Sequence, residues 1–158
     1  MTNAQYNFKV SIAMILLSYL KPSSRRTKPL PYTSLYVPEI SLSKYIDRIC
    51  RYASLHEDAL ICALIYIDRY LLASRVDLTA HEIHRLFLIA AVSASKFLND
   101  DFFENRYYAE IGGISINEFN FLEIDFMETI NYSLYVDKDL YSRYSRAVCS
   151  YRNMRSKS

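Results

Sequence analysis

Glycine is nearly absent. The 158-residue chain has two, Gly112 and Gly113, side by side. Dinucleotide-binding fingerprints and P-loops need several glycines at fixed spacing, so both are excluded. Sheets joined by tight turns also draw on glycine, which weighs against an all-β fold. Tryptophan is missing, and the four prolines (Pro22, Pro29, Pro31 and Pro38) all precede residue 39. The rest of the chain is therefore free of proline breaks. Charge of one sign is lacking too: 19 basic groups face 17 acidic ones, a net of +2. That gives no broad field to hold a nucleic acid or an anionic membrane. The three cysteines, Cys50, Cys62 and Cys149, show neither CxxC nor zinc-knuckle spacing. They fit small buried side chains in a reducing compartment better than disulfides or a metal site. Val10 to Leu20 is apolar but too short to span a bilayer, and it lacks the flanks of a signal peptide. It reads as a helix docked on the core of an intracellular protein of the cytoplasm or nucleus.

What is present is helical periodicity, in a chain 51% apolar and long enough for one well-filled core. Ile12, Ile15, Leu16, Tyr19 and Leu20 line one face of a helix that Pro22 closes. Residues 21–38 hold every proline and the basic run Arg25, Arg26 and Lys28, and read as an extended, exposed connector. Beyond it, Ser54-Leu55-His56-Glu57, Thr79-Ala80-His81-Glu82 and Ser115-Ile116-Asn117-Glu118 have the pattern of capping boxes. Helices are predicted over about 42–53, 56–72, 80–98, 115–131 and 138–150, with a short one over 105–111 stopped by Gly112-Gly113. Residues 59–67 and 86–92 are apolar all round, so neighbours must surround both. An all-α bundle wrapped on one or two central helices follows, and no sustained heptad supports a coiled coil.

Catalytic patterns are scarce. His81-Glu82-Ile83-His84 is one residue short of the HExxH zinc spacing, and no third ligand stands nearby. There is no GxSxG, and no cysteine sits in a nucleophile motif. Asp100-Asp101 reads as a solvated helix end. Fifteen tyrosines without clustered lysines and arginines between them read as packing. The tail bearing Arg143, Arg146, Arg152, Arg155 and Lys157 reads as a solvated terminus. No catalytic residue, metal, cofactor or small-molecule substrate is expected, and neither nucleic acid nor membrane is expected as a partner. Two charges are out of place, however. Glu123 lies in the apolar stripe Phe119, Leu122, Phe126, Met127 and Ile130, where a carboxylate must be paired locally, sit at the stripe's edge or face a partner. Lys96 closes a helix with no other charge after Arg85, where it either snorkels at the C-terminus or meets a partner.

The text around those charges is recognisable. Tyr66-Ile67-Asp68-Arg69-Tyr70, then His84-Arg85-Leu86 running on to Ala94-Ser95-Lys96-Phe97-Leu98-Asn99-Asp100-Asp101, are followed by Tyr107-Tyr108-Ala109-Glu110-Ile111-Gly112-Gly113-Ile114. Glu118-Phe119-Asn120 and Leu122-Glu123-Ile124-Asp125-Phe126 complete the series. In that order, over residues 40–136, they resemble the single cyclin box of the P/U-type (phosphate-pathway) cyclins.

The resemblance implies five helices around a central third, with extra helices at both ends. It divides the chain into an N-terminal helix (1–20), the connector (21–38), the box (39–136) and a C-terminal helix with a basic tail (137–158). It implies a non-catalytic regulatory subunit that forms a heterodimer with a cyclin-dependent protein kinase, docks on its mobile helix and orders its activation segment. Such boxes serve both phosphate signalling and the cell cycle. By resemblance Lys96 and Glu123 meet the kinase, with Phe97, Phe119 and Leu122 as apolar neighbours. Asp100, with Asp101 beside it, could offer a carboxylate in place of a phosphate. The Met-Arg-x-x-Leu-x-x-Trp substrate patch of mitotic cyclins is absent, since Ser43 to Ile49 does not match it. The alternative is a cyclin-fold adaptor or transcription-type binding module, against which the low net charge and single box both count.

Overall fold

A helix apolar on every side cannot exist at a surface, and the fold is arranged around one. In the computed structural model, which describes residues 2–22 and 30–155, α4 (Ile83–Leu98) is buried without interruption from Leu86 to Ser95. Around it stand α2 (Leu42–Tyr52), α3 (Glu57–Ser74), α5 (Asn105–Gly112) and α6 (Ile116–Thr129). α1 (Asn3–Ser18) packs on α2 and α3, and α7 (Lys138–Arg155) lies against α1 and α3. The described residues contain helices and no strand. The two apolar stretches expected to be surrounded are so: every residue from Ala59 to Ile67 is buried, as is every residue from Leu86 to Val92.

The signature Tyr66-Ile67-Asp68-Arg69-Tyr70 on α3 ties distant segments to the core. Tyr66 Oη donates to the Leu134 carbonyl (2.6 Å), and Arg69 donates to the carbonyls of Ser133 (2.6 Å) and Tyr135 (3.0 Å). Asp68 accepts from Tyr144 of α7 (2.5 Å) and Tyr19 beyond α1 (3.4 Å), and Tyr70 donates to Asp125 of α6 (3.0 Å). The tyrosines thus pack, as their pattern predicts, and their hydroxyls also serve a partly buried carbonyl and the carboxylates of Asp68 and Asp125.

Helix ends depart from expectation. Ser115 does cap α6, accepting from the Glu118 amide at 3.1 Å, but the Glu118 carboxylate goes to Arg85 rather than back to the cap. Glu82 does reach back to the Thr79 amide (2.8 Å), yet α4 starts only at Ile83, because that buried carboxylate also receives the Thr79 and Thr33 hydroxyls. The box expected at Ser54 does not form: Ser54 adopts φ 53°, and α3 begins after His56 with no side-chain cap. Instead Thr2 and Gln5 form a capping box at α1, which starts at Asn3, well before Val10.

Gly112-Gly113 ends α5 as predicted. Gly113 takes φ 73°, with its amide on Glu110 and the Ile114 amide on Ala109, a Schellman pair. Gly112 has a separate reason: a Cβ there would stand inside contact distance of the buried Leu88 side chain.

The basic run Arg25, Arg26 and Lys28 of the connector lies outside the described residues. From Leu30 the segment is exposed at Pro31, Leu35, Tyr36, Val37 and Glu39, as expected, but it is also pinned to the core through Tyr32. It is a strap closed over α3, α4 and α6. Tyr32 is fully buried, edge-on to Tyr70, and donates to the Leu122 carbonyl at 2.9 Å. The Ser34 amide donates to the His81 carbonyl (3.0 Å), and His84 Nε2 donates to the Ile40 carbonyl (2.9 Å). One buried phenol anchors a segment whose neighbouring side chains stay largely exposed.

Two outcomes follow. Gly112→Ala should cost about 1–3 kcal/mol, because packed core around Leu88 leaves no room for an added methyl. That is a fall in melting temperature of about 2–4 °C per kcal/mol for a chain of this size. His84 adds a pH dependence. Burial holds its pKa below the usual 6.5, and Nδ1 is buried without a hydrogen-bond partner among the described residues. The unfolded chain therefore binds the proton more readily, so this contribution is present in full above pH 6.5 and is lost as pH falls below it. Melting curves between pH 7.5 and 5.5 should show the slope, and His84→Gln, which keeps a donor for Ile40, should lose that part of it.

Candidate functional site

α4 is uncharged between Arg85 and Lys96, and each of these cations crosses to a glutamate on α6. Arg85 Nε meets Glu118 Oε1 at 2.6 Å, and Lys96 Nζ meets Glu123 Oε1 at 2.5 Å. The two bridges differ in setting. Lys96–Glu123 lies where the last turn of α4, the 99–104 loop and the start of α5 converge. There Asn105, the first residue of α5, accepts from Lys96 Nζ (2.5 Å) and donates to Glu123 Oε2 (2.8 Å) and Asn120 Oδ1 (2.9 Å). The Lys96 ammonium also lies 5.8 Å from the Phe102 ring centroid, 5.9 Å from Tyr108 and 6.0 Å from Phe119. Each side chain of the pair keeps about a fifth of its surface, 22% for Lys96 and 21% for Glu123. The pair is internally satisfied yet still reachable from solvent.

Apolar side chains stand open around it. Phe97 is 50% exposed and Phe102 55%, while Ile124 and Phe121 on α6 show still more surface. Phe97 also lines an apolar cleft of about 370 Å³ with Cys62, Tyr66, Leu134, Tyr135 and Val136. Such a combination of unburied aromatic and aliphatic groups around a satisfied polar centre is what an interface offers, not what an isolated surface needs.

Of the residues singled out from the sequence, the structure brings Lys96, Glu123 and Phe119 together, while Phe97 lines the cleft beside α3 and the 134–136 segment. Phe119 and Leu122 require a correction, since both are fully buried. They support the pair from beneath and present nothing to a partner, because α6 turns that stripe onto α4 and the strap. Asp100 is exposed on the 99–104 loop, and its neighbour Asp101 lines a second cleft of about 320 Å³ with Ser54, His56, Ser95 and Asn99. Asn105 was missed by the sequence reading. Nothing in a lone asparagine at a helix start distinguishes it from a local cap, and its role appears only when three elements meet.

Other chemistry is spoken for. The imidazoles of His81 and His84 contact strap carbonyls, Ser34 at 3.1 Å and Ile40 at 2.9 Å. Burial pushes the Cys62 thiol up to about 11 and that of Cys50 to about 12, unfavourable for thiolate nucleophiles. Among the described residues no cluster of three or more metal-ligating side chains occurs, and no helix is long and apolar enough to cross a membrane.

The cyclin family model matches residues 11–134, from within α1 to beyond α6. Cyclin-P3-1 of Oryza sativa subsp. japonica is 38% identical over 107 residues, 68% of this chain and 45% of that protein. Cyclin-U4-3 of Arabidopsis thaliana is 34% identical over 122 residues, 77% and 56% of the two. The PHO85 cyclin-like protein psl1 of Schizosaccharomyces pombe (strain 972) is 31% identical over 134 residues, 84% and 55%. The chain spans about half the length of these relatives.

Breaking the polar cluster should disturb stability little. Lys96→Ala or Glu123→Ala should each cost about 1–2 kcal/mol, between the values for exposed and fully buried pairs. Urea unfolding would read this, and a loss above about 4 kcal/mol would mean that the pair holds the bundle together.

Proposed function

The chain belongs to the cyclin family, and we propose that it is a non-catalytic regulatory subunit that binds and activates a cyclin-dependent kinase. The observation that carries this is the satisfied Lys96–Glu123–Asn105 cluster set among exposed apolar side chains at the junction of α4, α5 and α6. Charge held ready by its own chain can enter an interface without being stranded, because its hydrogen bonds are already made. Phe97 and the cleft beside it supply apolar area for a partner's side chain, and this is where the binding energy arises.

The proposed mechanism is mechanical. α4 and α6 press on the kinase's mobile helix and hold it inward, which completes the kinase's Lys–Glu pair and lets its activation segment order. The rigidity this needs comes from α4, which is packed on every side, and from the strap, which fixes Leu122 of α6 through Tyr32. Asp100 or Asp101, on the loop beside the cluster, would offer a carboxylate to basic residues of that segment.

The test is a pull-down from source-cell extract with the wild-type chain and Glu123→Ala, read by mass spectrometry and by phosphate transfer to a generic kinase substrate. A cyclin-dependent kinase enriched and active with the wild type, and at least about tenfold depleted with the variant, is the expected result. A kinase bound but silent would overturn activation while leaving docking. Recovery of nucleic acid or a scaffold with no kinase would favour the adaptor reading instead.

A further inference from the structure

We propose that Asn105 is the positioning residue of the docking site. Its side-chain amide holds Lys96 and Glu123 in the geometry a partner binds, a role that rests on the docking reading above. The hydrogen-bond inventory makes the case. Lys96 has three N–H donors, one on Glu123 Oε1 and one on Asn105 Oδ1. Glu123 receives Lys96 on Oε1 and Asn105 on Oε2. The Asn105 amide is thereby used at both ends, since its carbonyl accepts from the ammonium and its NH2 serves Glu123 and Asn120. A flipped amide would set NH2 against the ammonium and oxygen against the carboxylate, so one orientation alone satisfies all four groups.

The position of Asn105 supports the assignment. An asparagine at a helix start ordinarily folds back onto nearby backbone. Here both ends of the amide reach α4 and α6 instead. Asn105 also closes the 99–104 loop, whose Phe102 stands over the Lys96 ammonium, so it sets the distance between that loop and the pair.

The consequence appears when a partner excludes water. In the free chain the partly exposed pair can complete its hydrogen bonding with solvent. Under an interface it cannot, and any donor or acceptor left open is costly. With Asn105 in place one Lys96 hydrogen remains for the partner. Without it a second donor opens on Lys96, and Glu123 Oε2 loses its partner within the chain. Aspartate would put an oxygen where Glu123 needs a donor, and alanine would leave both gaps.

The experiment uses the full chain and the purified cyclin-dependent kinase recovered with it. Affinities are measured by calorimetry well below the melting temperature for wild type, Asn105→Ala, Lys96→Met and the double variant. Asn105→Ala should weaken binding about tenfold in the wild-type background and only about threefold in the Lys96→Met background, where its bond to Glu123 Oε2 alone is left to lose. Equal losses in the two backgrounds, or none, would make Asn105 a mere staple between α5 and α6. A second readout needs no kinase. The Lys96 ammonium should give a sharp nitrogen–proton correlation in the wild-type spectrum at low temperature, broadened by exchange with water in Asn105→Ala. An unchanged signal would overturn the proposal. Binding lost in Lys96→Met but kept in Asn105→Ala would sink this inference alone, whereas a wild-type chain that binds no such kinase would sink the docking reading beneath it.

Discussion

The whole arrangement depends on α4 having no polar face between Arg85 and Lys96. A helix of that composition gains stability only if apolar surface covers it on every side, at roughly 25 cal/mol for each Å² removed from water. This fixes where α2, α3, α5 and α6 must lie, and small residues such as Ala90, Ala91 and Ala94 let them come close. Its two terminal cations then fix the angle of α6, because Arg85 and Lys96 reach glutamates five positions apart on that one helix. Apolar burial supplies the energy, and the two bridges supply the register.

The second layer of constraint is polar and long-range. Residues of α3 hold the 133–135 segment, α6, α7 and the end of α1 through four neighbouring side chains. Asp68 is a partly buried carboxylate whose pKa burial raises, while the phenols of Tyr144 and Tyr19 work against that rise. The chain beyond the box thus packs through α3, on the side of the molecule where a partly buried acid can be served by two donors. The strap repeats the device from the other direction, with Tyr32 ending on α6 and Thr33 on Glu82. The helix that carries Glu123 is therefore held from α4, α3 and the strap.

How much of this was legible follows from the range of each interaction. Helix existence and the central place of α4 were legible, because they depend on periodicity within one segment. That Lys96 and Glu123 are out of place was legible too, since a charge on an apolar stripe is a local anomaly, and in the structure the two pair with each other. The Ser54 box failed because a cap needs backbone geometry as well as a hydroxyl, and Ser54 is in the left-handed region. The anchoring of the strap was not legible, because composition averages over residues while a single Tyr32 in a slot between Tyr70 and α6 pins the segment. Phe119 and Leu122 were placed on the right helix and beside the right charges. Their burial depends on the rotation of α6, which the two bridges set from outside it.

The charge balance bears on how such a site can choose a partner. The chain carries a net charge of only +2, and the cation and anion of the site neutralise each other within 2.5 Å. Long-range steering is then weak, and discrimination has to come after contact, from shape and from what each candidate does to the polar cluster. A partner that covers Phe97 and Phe102 while offering one acceptor to the remaining Lys96 hydrogen loses little. One that covers them without that acceptor traps an unsatisfied ammonium hydrogen under apolar surface, and the cost of that rises as water is excluded. On the proposed docking reading, a site closed upon itself in the free chain selects through the penalty it imposes on a poor fit.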